Sequence, residues 1–424
     1  MEKERHTSAA SWTLWLPYTQ MKSAPAPLVA ERTEGARISL TDGRSLVDGT
    51  SSWWTACHGY NHPHIRRAVE AQLARMPHVM LGGLVHRPAL ELADRLAALA
   101  PGDLAHVFFS ESGSVSVEIA MKIAIQYWLN QGLRRTRFLA FRHAYHGDTF
   151  HAMSVCDPDD GMHAHFAGAL AEQLVVPLPT ANDALRDFDR TLARHANELA
   201  AVLLEPLVQA AGGMKFHDAE TLAAIAAAAR RHGVLLILDE IAVGFGRTGT
   251  LFACEQADVV PDLMTLSKSL TGGTLPLAAT IARRHVFDAF WSDDPLHALM
   301  HGPTYMGNPL ACAAANASLD LFGSEPRLEQ VARIEQAFRD GLAPCRKLPG
   351  VRDVRVKGAI GVVQLERAPS SGELDALRRR FVDEGVWVRP FGDVVYLMPP
   401  FVIADDELDA LMRAVRTVLA ERAR

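Results

Sequence analysis

Two hydrophobic rhythms alternate along the middle of the chain. Short, almost unbroken apolar runs read as strands: HVFFS (106–110), FLAF (138–141), AVLLEP (201–206), VLLILDE (234–240) and LMTLS (263–267). Between them lie stretches with apolar positions at helical spacing. ALELADRLAALAP (89–101) ends at Pro101 and Gly102, and AETLAAIAAAARRHG (219–233) ends at a glycine. HIRRAVEAQLARM (64–76) and the segment from about 114 also read as helices. Apolar runs without polar alternation suit a sheet buried on both faces. Their alternation with helices predicts an α/β fold with a mostly parallel sheet.

The texture differs at both ends. Residues before about 64 are rich in aromatics and turn formers: WLPYTQMKSAPAP (15–27), then ISLTDGRSLVDGTSSWW (38–54), with short strand-like alternations. After about 315, a long helical stretch leads into VRDVRVKGAIGVVQLE, GVWVRP and DVVYLMPP, and the chain closes on the helical DDELDALMRAVRTVLAERAR. The expected organisation is therefore an N-terminal segment (1–64), a large α/β domain (65–315) and a smaller α+β domain (316–424), with the first segment joining the last.

Composition narrows the function classes. With 49% hydrophobic and 22% charged residues over 424 positions, the chain reads as an ordinary globular enzyme. A net charge of −6 argues against nucleic acid as a partner. The five cysteines are widely spaced without a C-x-x-C, which fits neither a disulfide framework nor zinc and suits a reducing compartment. MEKERHTSAASW carries charges of both signs and no apolar core of a signal peptide. No apolar run reaches the ~18–20 residues of a membrane span. The cytoplasm is the expected location.

The candidate chemistry begins with GFGRTG (244–249), which fits the dinucleotide fingerprint G-x-G-x-x-G after an apolar run. A fingerprint of that kind needs a helix opening at its third glycine, and TLFACEQADVVPD is a poor one. Two other residues nearby matter more. Asp239 ends the run VLLIL, at the end of a strand where ligands of open α/β sheets gather. Lys268 follows LMTLS in the same way. Taken singly, they are a turn aspartate and a surface lysine. Together they fit a pyridoxal phosphate site, which needs a lysine of lowered pKa and an acid facing the pyridinium nitrogen.

A phosphate cradle is then required. Ser112, Gly113 and Ser114 open a helix, and free N–H groups at a helix start bind phosphate; an ordinary N-cap serine is the plain alternative. Tyr145, in FRHAYHGDT beside Asp148, offers a ring to stack on a planar cofactor. HGPTYMGNP (301–309) reads as a rigid loop with Thr304 offering a hydroxyl. Arg389, held extended before Pro390, suits a bidentate carboxylate clamp. Tyr18, Trp53 and Trp54 either anchor the N-terminal arm or line a substrate channel. The histidines near 58–64 and 143–146 lack acidic or cysteine partners at ligand spacing, so no metal is expected.

The order LILDEIAVGFGRTG, TLSKSLTGG, HGPTYMGNP resembles the class III, fold-type I pyridoxal-phosphate aminotransferases over nearly the whole chain. That resemblance implies a large domain with a mostly parallel seven-stranded-type sheet and a homodimer. It implies that Lys268 bonds to the cofactor and moves the proton, and that Asp239 pairs with the ring nitrogen. Tyr145 would stack on the ring. Gly113 and Ser114, with Ser112, would hold the phosphate, and Pro303 and Thr304 would reach it from the other subunit. WLPYTQM, SSWW and GVWVRPFG are similar to one branch of the family, with S-adenosylmethionine as donor and 8-amino-7-oxononanoate as acceptor. In that branch Tyr18, Trp53, Trp54, Tyr145, Asp148, Arg247, Lys268, Gly302 and Arg389 would meet substrate. The rivals are another class III enzyme using an ω-amino acid, diamine or lysine donor, a nicotinamide enzyme, and a non-catalytic binding protein.

Overall fold

The computed structural model describes residues 12–159, 163–166 and 168–422. The charged opening residues read above as lacking a signal peptide lie almost entirely outside them. Near the start, β1 (Ala30–Glu34), β2 (Arg37–Leu40) and β3 (Ser45–Asp48) form an antiparallel meander. The middle of the chain contributes β4 (Leu104–Ser110), β5 (Arg137–Phe141), β6 (Leu174–Val176), β7 (Leu199–Leu204), the small hairpin β8 (Val208–Gln209) and β9 (Lys215–Phe216), β10 (Leu235–Asp239), β11 (Leu263–Leu266) and β12 (Ala278–Arg283). The last part adds β13 (Val351–Lys357), β14 (Ile360–Leu365), β15 (Val386–Trp387) and β16 (Val394–Leu397).

A seven-stranded sheet in the order β4-β12-β11-β10-β7-β5-β6 is the frame of the molecule. Its neighbours pair in parallel except at β12, which runs antiparallel to both β11 and β4. The mostly parallel sheet read from the apolar runs is present, and β6 and β12 are the strands the pattern did not single out. All of β7 and β10 is buried, as strands covered by helices on both faces must be. Two large hydrophobic clusters pack on the opposite faces of this sheet, one around Leu204, Leu238 and Leu266 and the other around Leu203, Ile237 and Leu263. The one-residue alternation between the two sets is the pleat of the strands themselves.

The C-terminal helix Asp405–Arg422 and the helix Arg327–Leu342 cover the three-stranded sheet β13-β14-β16 around Phe338, Phe381 and Leu411. The N-terminal meander is completed by a strand from the far end of the chain: β15 adds to β3 in parallel, Asp48 opposite Trp387. This pairing sets the segment before residue 50 beside the segment that carries Arg389. Among the described residues no helix is long and apolar enough to cross a membrane. All five cysteines are buried free thiols.

Candidate active site

One cavity opens at the carboxyl ends of the parallel strands. Ser112, Gly113, Ser114, Tyr145, His146, Gly147, Glu205, Asp239, Ile241, Lys268 and Trp54 all face it. Strand order explains the meeting of Asp239 and Lys268. β10 and β11 are parallel neighbours, with Asp239 opposite Thr265, so residues just past both strands emerge side by side. Lys268 lies partly open to the cavity at the start of a short 3-10 turn, Lys268–Thr271. Burial by the surrounding protein lowers its pKa, against the opposing pull of Asp239, Glu205 and Asp148. A lysine so placed holds its neutral, nucleophilic form at lower pH than a solvated one.

Asp239 is buried and well supplied with donors. Its carboxylate accepts from the Ile241 amide at 3.0 Å and the Thr265 hydroxyl at 3.3 Å, and lies 2.7 Å from Nδ1 of His146. The other ring nitrogen of His146, also buried, has no hydrogen-bond partner among the described residues. Glu205 sits at the end of β7 and accepts from the amides of Tyr145 (3.2 Å) and Ala210 (2.9 Å). Burial and the neighbouring Asp239 push its carboxyl up to about 8. His146 and Glu205 were not picked out from the sequence. Glu205 ends an apolar run as Asp239 does, so the signal existed.

The cradle stands opposite. The helix Gly113–Asn130 starts with Ser112 as N-cap, its side chain accepting from the Val115 amide. The first amides of a helix carry partial positive charge and point outward. Ser114 Oγ accepts from the Asp148 amide at 3.1 Å, and Gly147 packs so tightly here that a Cβ would lie 2.2 Å from that oxygen.

Beside Tyr145, past the residues that line the cavity, stands an aromatic wall. Tyr18 and Tyr145 both donate to Asp148, at 2.5 and 3.0 Å. Burial raises the pKa of both phenols. The Tyr18 ring meets Trp53 edge-on at 6.1 Å, and the Arg389 guanidinium lies over the Trp53 ring at 4.6 Å. Burial lowers the pKa of that arginine. Trp54 faces the other way, with Nζ of Lys268 4.8 Å from its ring centre. Residues 51–54 take left-handed backbone angles, φ 48°, 48°, 57° and 74°. L-residues adopt them at roughly 1–2 kcal/mol each. His163, also missed, stacks near Tyr145 with ring centres 6.0 Å apart, and only its place in a polar loop could have suggested it.

Four expected members are elsewhere. Arg247 is fully enclosed: its guanidinium donates to the carbonyls of Pro399 (2.8 Å) and Ala359 (3.4 Å) and stacks over Phe401. In this structure it lies off the cavity wall, turned toward the C-terminal residues. The physical reason is the turn that carries it. Gly246 (φ +88°) and Gly249 (φ +108°) fold GFGRTG back under the sheet end toward the C-terminal residues. Only Ile241 and Ala242, before this turn, line the cavity. No α-helix opens at the third glycine; a 3-10 turn follows at Ala253–Ala257, so the dinucleotide reading lacks its phosphate helix. Gly302, Pro303 and Thr304 also lie off the cavity wall of their own chain, and Thr304 is exposed. Among the described residues no group of three or more His, Cys, Asp or Glu side chains could hold a metal ion.

A family profile described as Aminotransferase class-III matches residues 18–419. The chain belongs to this family. Its relatives include the adenosylmethionine-8-amino-7-oxononanoate aminotransferase of Mycobacterium leprae, 45% identical over 95% of this chain and 94% of the relative. Among solved structures, the enzyme of the same name from Methanocaldococcus jannaschii superposes with a TM-score of 0.92 at 33% identity, covering 96% of this chain and 97% of the other. An (S)-enantioselective omega-transaminase from Thermomicrobium roseum matches at TM-score 0.90 and 32% identity, with 97% of each chain covered. Proteins of this fold thus carry names for more than one amino-transfer reaction.

Proposed function

We propose that this chain is a pyridoxal-phosphate aminotransferase that moves the amino group of S-adenosylmethionine to 8-amino-7-oxononanoate, giving 7,8-diaminononanoate for biotin synthesis. The observation that carries it is the desolvated amine of Lys268 in one cavity with Asp239 and the helix start at Ser112–Ser114. The relative from Mycobacterium leprae, 45% identical, carries the name of this reaction. The residues fit the cofactor. Gly113 and Ser114, with Ser112, offer amides and hydroxyls for its phosphate, Asp239 a carboxylate for its ring nitrogen, and Tyr145 a ring for its face. His146, hydrogen-bonded to Asp239, keeps that carboxylate oriented. When bound, pyridoxal phosphate supplies an electron sink beside the reacting carbon.

The chain's own residues do the rest. Lys268, neutral below the usual lysine range, takes the proton from the amine-bearing carbon of the donor and returns it to the acceptor. Arg389 binds the acceptor's carboxylate, with its guanidinium held over the Trp53 ring. Trp53, Trp54 and Tyr18 pack against the alkyl chain of one substrate and attract the sulfonium of the other. Asp148 fixes the hydroxyls of Tyr18 and Tyr145 and so holds the two rings in place.

The working unit is a homodimer in the cytoplasm, acting on small molecules rather than membranes or nucleic acid. Pro303 and Thr304 belong to the phosphate site of the second copy, a reading supported by the exposure of Thr304 and its distance in sequence and fold from this chain's own cradle. Residues 1–64 work with 316–424 as the substrate-side domain, and 65–315 hold the cofactor; the pairing of β3 with β15 supports that division.

The test is spectroscopic. The protein loaded with pyridoxal phosphate should lose its visible absorbance on addition of S-adenosylmethionine alone and regain it on addition of 8-amino-7-oxononanoate. Absorbance that ignores this donor and responds to lysine would replace the donor. A protein that stays colourless after incubation with pyridoxal phosphate would overturn the role of Lys268.

A further inference from the structure

Asp48 is fully buried at the end of β3, and its carboxylate is met by four donors from the neighbouring backbone and side chains. Oδ1 accepts from the Thr50 amide at 2.7 Å and the Thr50 hydroxyl at 2.8 Å. Oδ2 accepts from the Ser52 amide at 3.0 Å and the Tyr60 hydroxyl at 2.6 Å. A buried carboxylate is tolerated when its lone pairs are met in this way. The donors are not scattered. Three of them belong to Thr50 and Ser52, on either side of the point where the backbone turns left-handed, and Tyr60 lies just beyond.

The left-handed turn has a direct connection to both ends of the cavity. Its third residue, Trp53, lies under Arg389 and against Tyr18. Its fourth, Trp54, lies beside Lys268, and the Trp54 carbonyl accepts from the hydroxyl of Ser269, the residue after that lysine. The turn is also anchored from below. Ser51 Oγ donates to the Met398 carbonyl at 2.7 Å, and the Gly49 amide donates to Trp387, two residues before Arg389. A run of four non-glycine residues at positive φ persists only where surrounding bonds over-determine it.

We propose that Asp48 is a positioning residue of the amino-transfer site. Its carboxylate holds residues 50–54 in the left-handed turn, which sets Trp53 against the carboxylate-binding Arg389 and Trp54 against Lys268. In a right-handed or extended backbone the two tryptophans would leave these partners, and the wall that sizes the substrate channel would open. This inference rests on the aminotransferase reading for its kinetic consequence, and on the fold alone for its structural one.

The experiment compares three holoenzyme variants with the unaltered protein. Asp48→Asn keeps the shape but turns an –NH2 toward two donors. Tyr60→Phe removes a single donor. Val363→Ala, in the buried cluster around Phe338, lowers stability away from the turn. Three quantities are read: thermal midpoint, near-ultraviolet circular dichroism of the tryptophans, and kcat and KM for the keto acid. For Asp48→Asn, kcat/KM should fall on the order of 10- to 100-fold, mostly through KM, and the tryptophan dichroism should change without any substrate. Tyr60→Phe should show the same pattern at about 3- to 10-fold. Val363→Ala should lower the midpoint and leave dichroism and KM in place. If Asp48→Asn and Tyr60→Phe only lower the midpoint, as Val363→Ala does, the proposal is overturned. If Asp48→Asn does not fold, Tyr60→Phe decides by the same readouts. If the unaltered protein turns over no amine, the reaction assignment fails, and the tryptophan dichroism still decides the role of Asp48.

Discussion

The cofactor-side wall of the cavity and the aromatic wall beside it are made in opposite ways. The wall with Asp239, Glu205, Lys268 and the Ser112–Ser114 cradle is built from regular elements: ends of buried parallel strands and the first turn of an 18-residue helix. The wall with Tyr18, Trp53 and Arg389 is built from an N-terminal arm, a left-handed turn and the end of a two-residue strand. In the first, Asp239 and Glu205 are buried; on the second, Trp53 is 42% and Tyr18 56% exposed. A group that stays bound through every cycle is best served by dipoles and charges that do not move. Two substrates as different as a sulfonium amino acid and an alkyl keto acid need a surface that tolerates both, and aromatic faces meet that need.

The contrast can be broken most severely at its centre. Lys268→Ala should lower turnover by at least ~10²–10⁴-fold, the usual worth of a positioned proton-transfer group. Single-turnover rates would measure it, and retention of the fold is checked by circular dichroism. On the second wall, Arg389→Ala should raise KM for the keto acid by roughly 10- to 100-fold, as expected for a lost charged hydrogen bond, with a smaller change for the amino donor. Equal effects on both substrates would mean that Arg389 serves the cavity generally and not one carboxylate. Tyr18→Phe should cost only about 3- to 10-fold in kcat/KM, since the ring remains and one hydrogen bond to Asp148 is lost.

The smallest effect should appear as a pH dependence of stability. The folded-state pKa of Glu205, pushed up to about 8, lies above the unfolded value of a glutamate. Between these two values the unfolded chain has released a proton that the folded chain keeps. Stability therefore falls as pH rises through this interval and levels off above about 8. Glu205→Gln should flatten the fall, read as thermal midpoints of the cofactor-free protein from pH 5 to 8. An unchanged slope would show that another group, and not Glu205, carries the buried proton.

The legible part of this protein was the part where local pattern and function coincide. VLLILD and LMTLSK announce two buried strands, and a polar residue ending such a run is visible without knowing its neighbours. Ser112–Ser114 before an amphipathic helix is equally visible. Glu205 closes the run AVLLE in the same manner, but a single carboxylate at a strand end does not by itself point to a site. His146 was noticed only as part of a histidine-rich loop, since its bond to Asp239 spans 93 positions of chain.

Arg247 marks the opposite case. Its motif sits next to Asp239 in sequence, but two glycines at positive φ send the guanidinium under the sheet to carbonyls at 359 and 399. Nothing in GFGRTG says which way the turn will face. By itself the sequence determined the strands, the helices between them and the chemical pair of a lysine and an aspartate, because these depend on short-range periodicity and on residue type. Tertiary structure alone decided that β3 pairs with β15, that four residues around Trp53 coil to the left, and that Tyr18, Asp148 and Arg389 share one wall. The strand pairing and the shared wall depend on contacts between segments more than a hundred residues apart, and the turn needs its anchor on Met398 as well as nearby Asp48; no local stretch of the chain contains all of these energies.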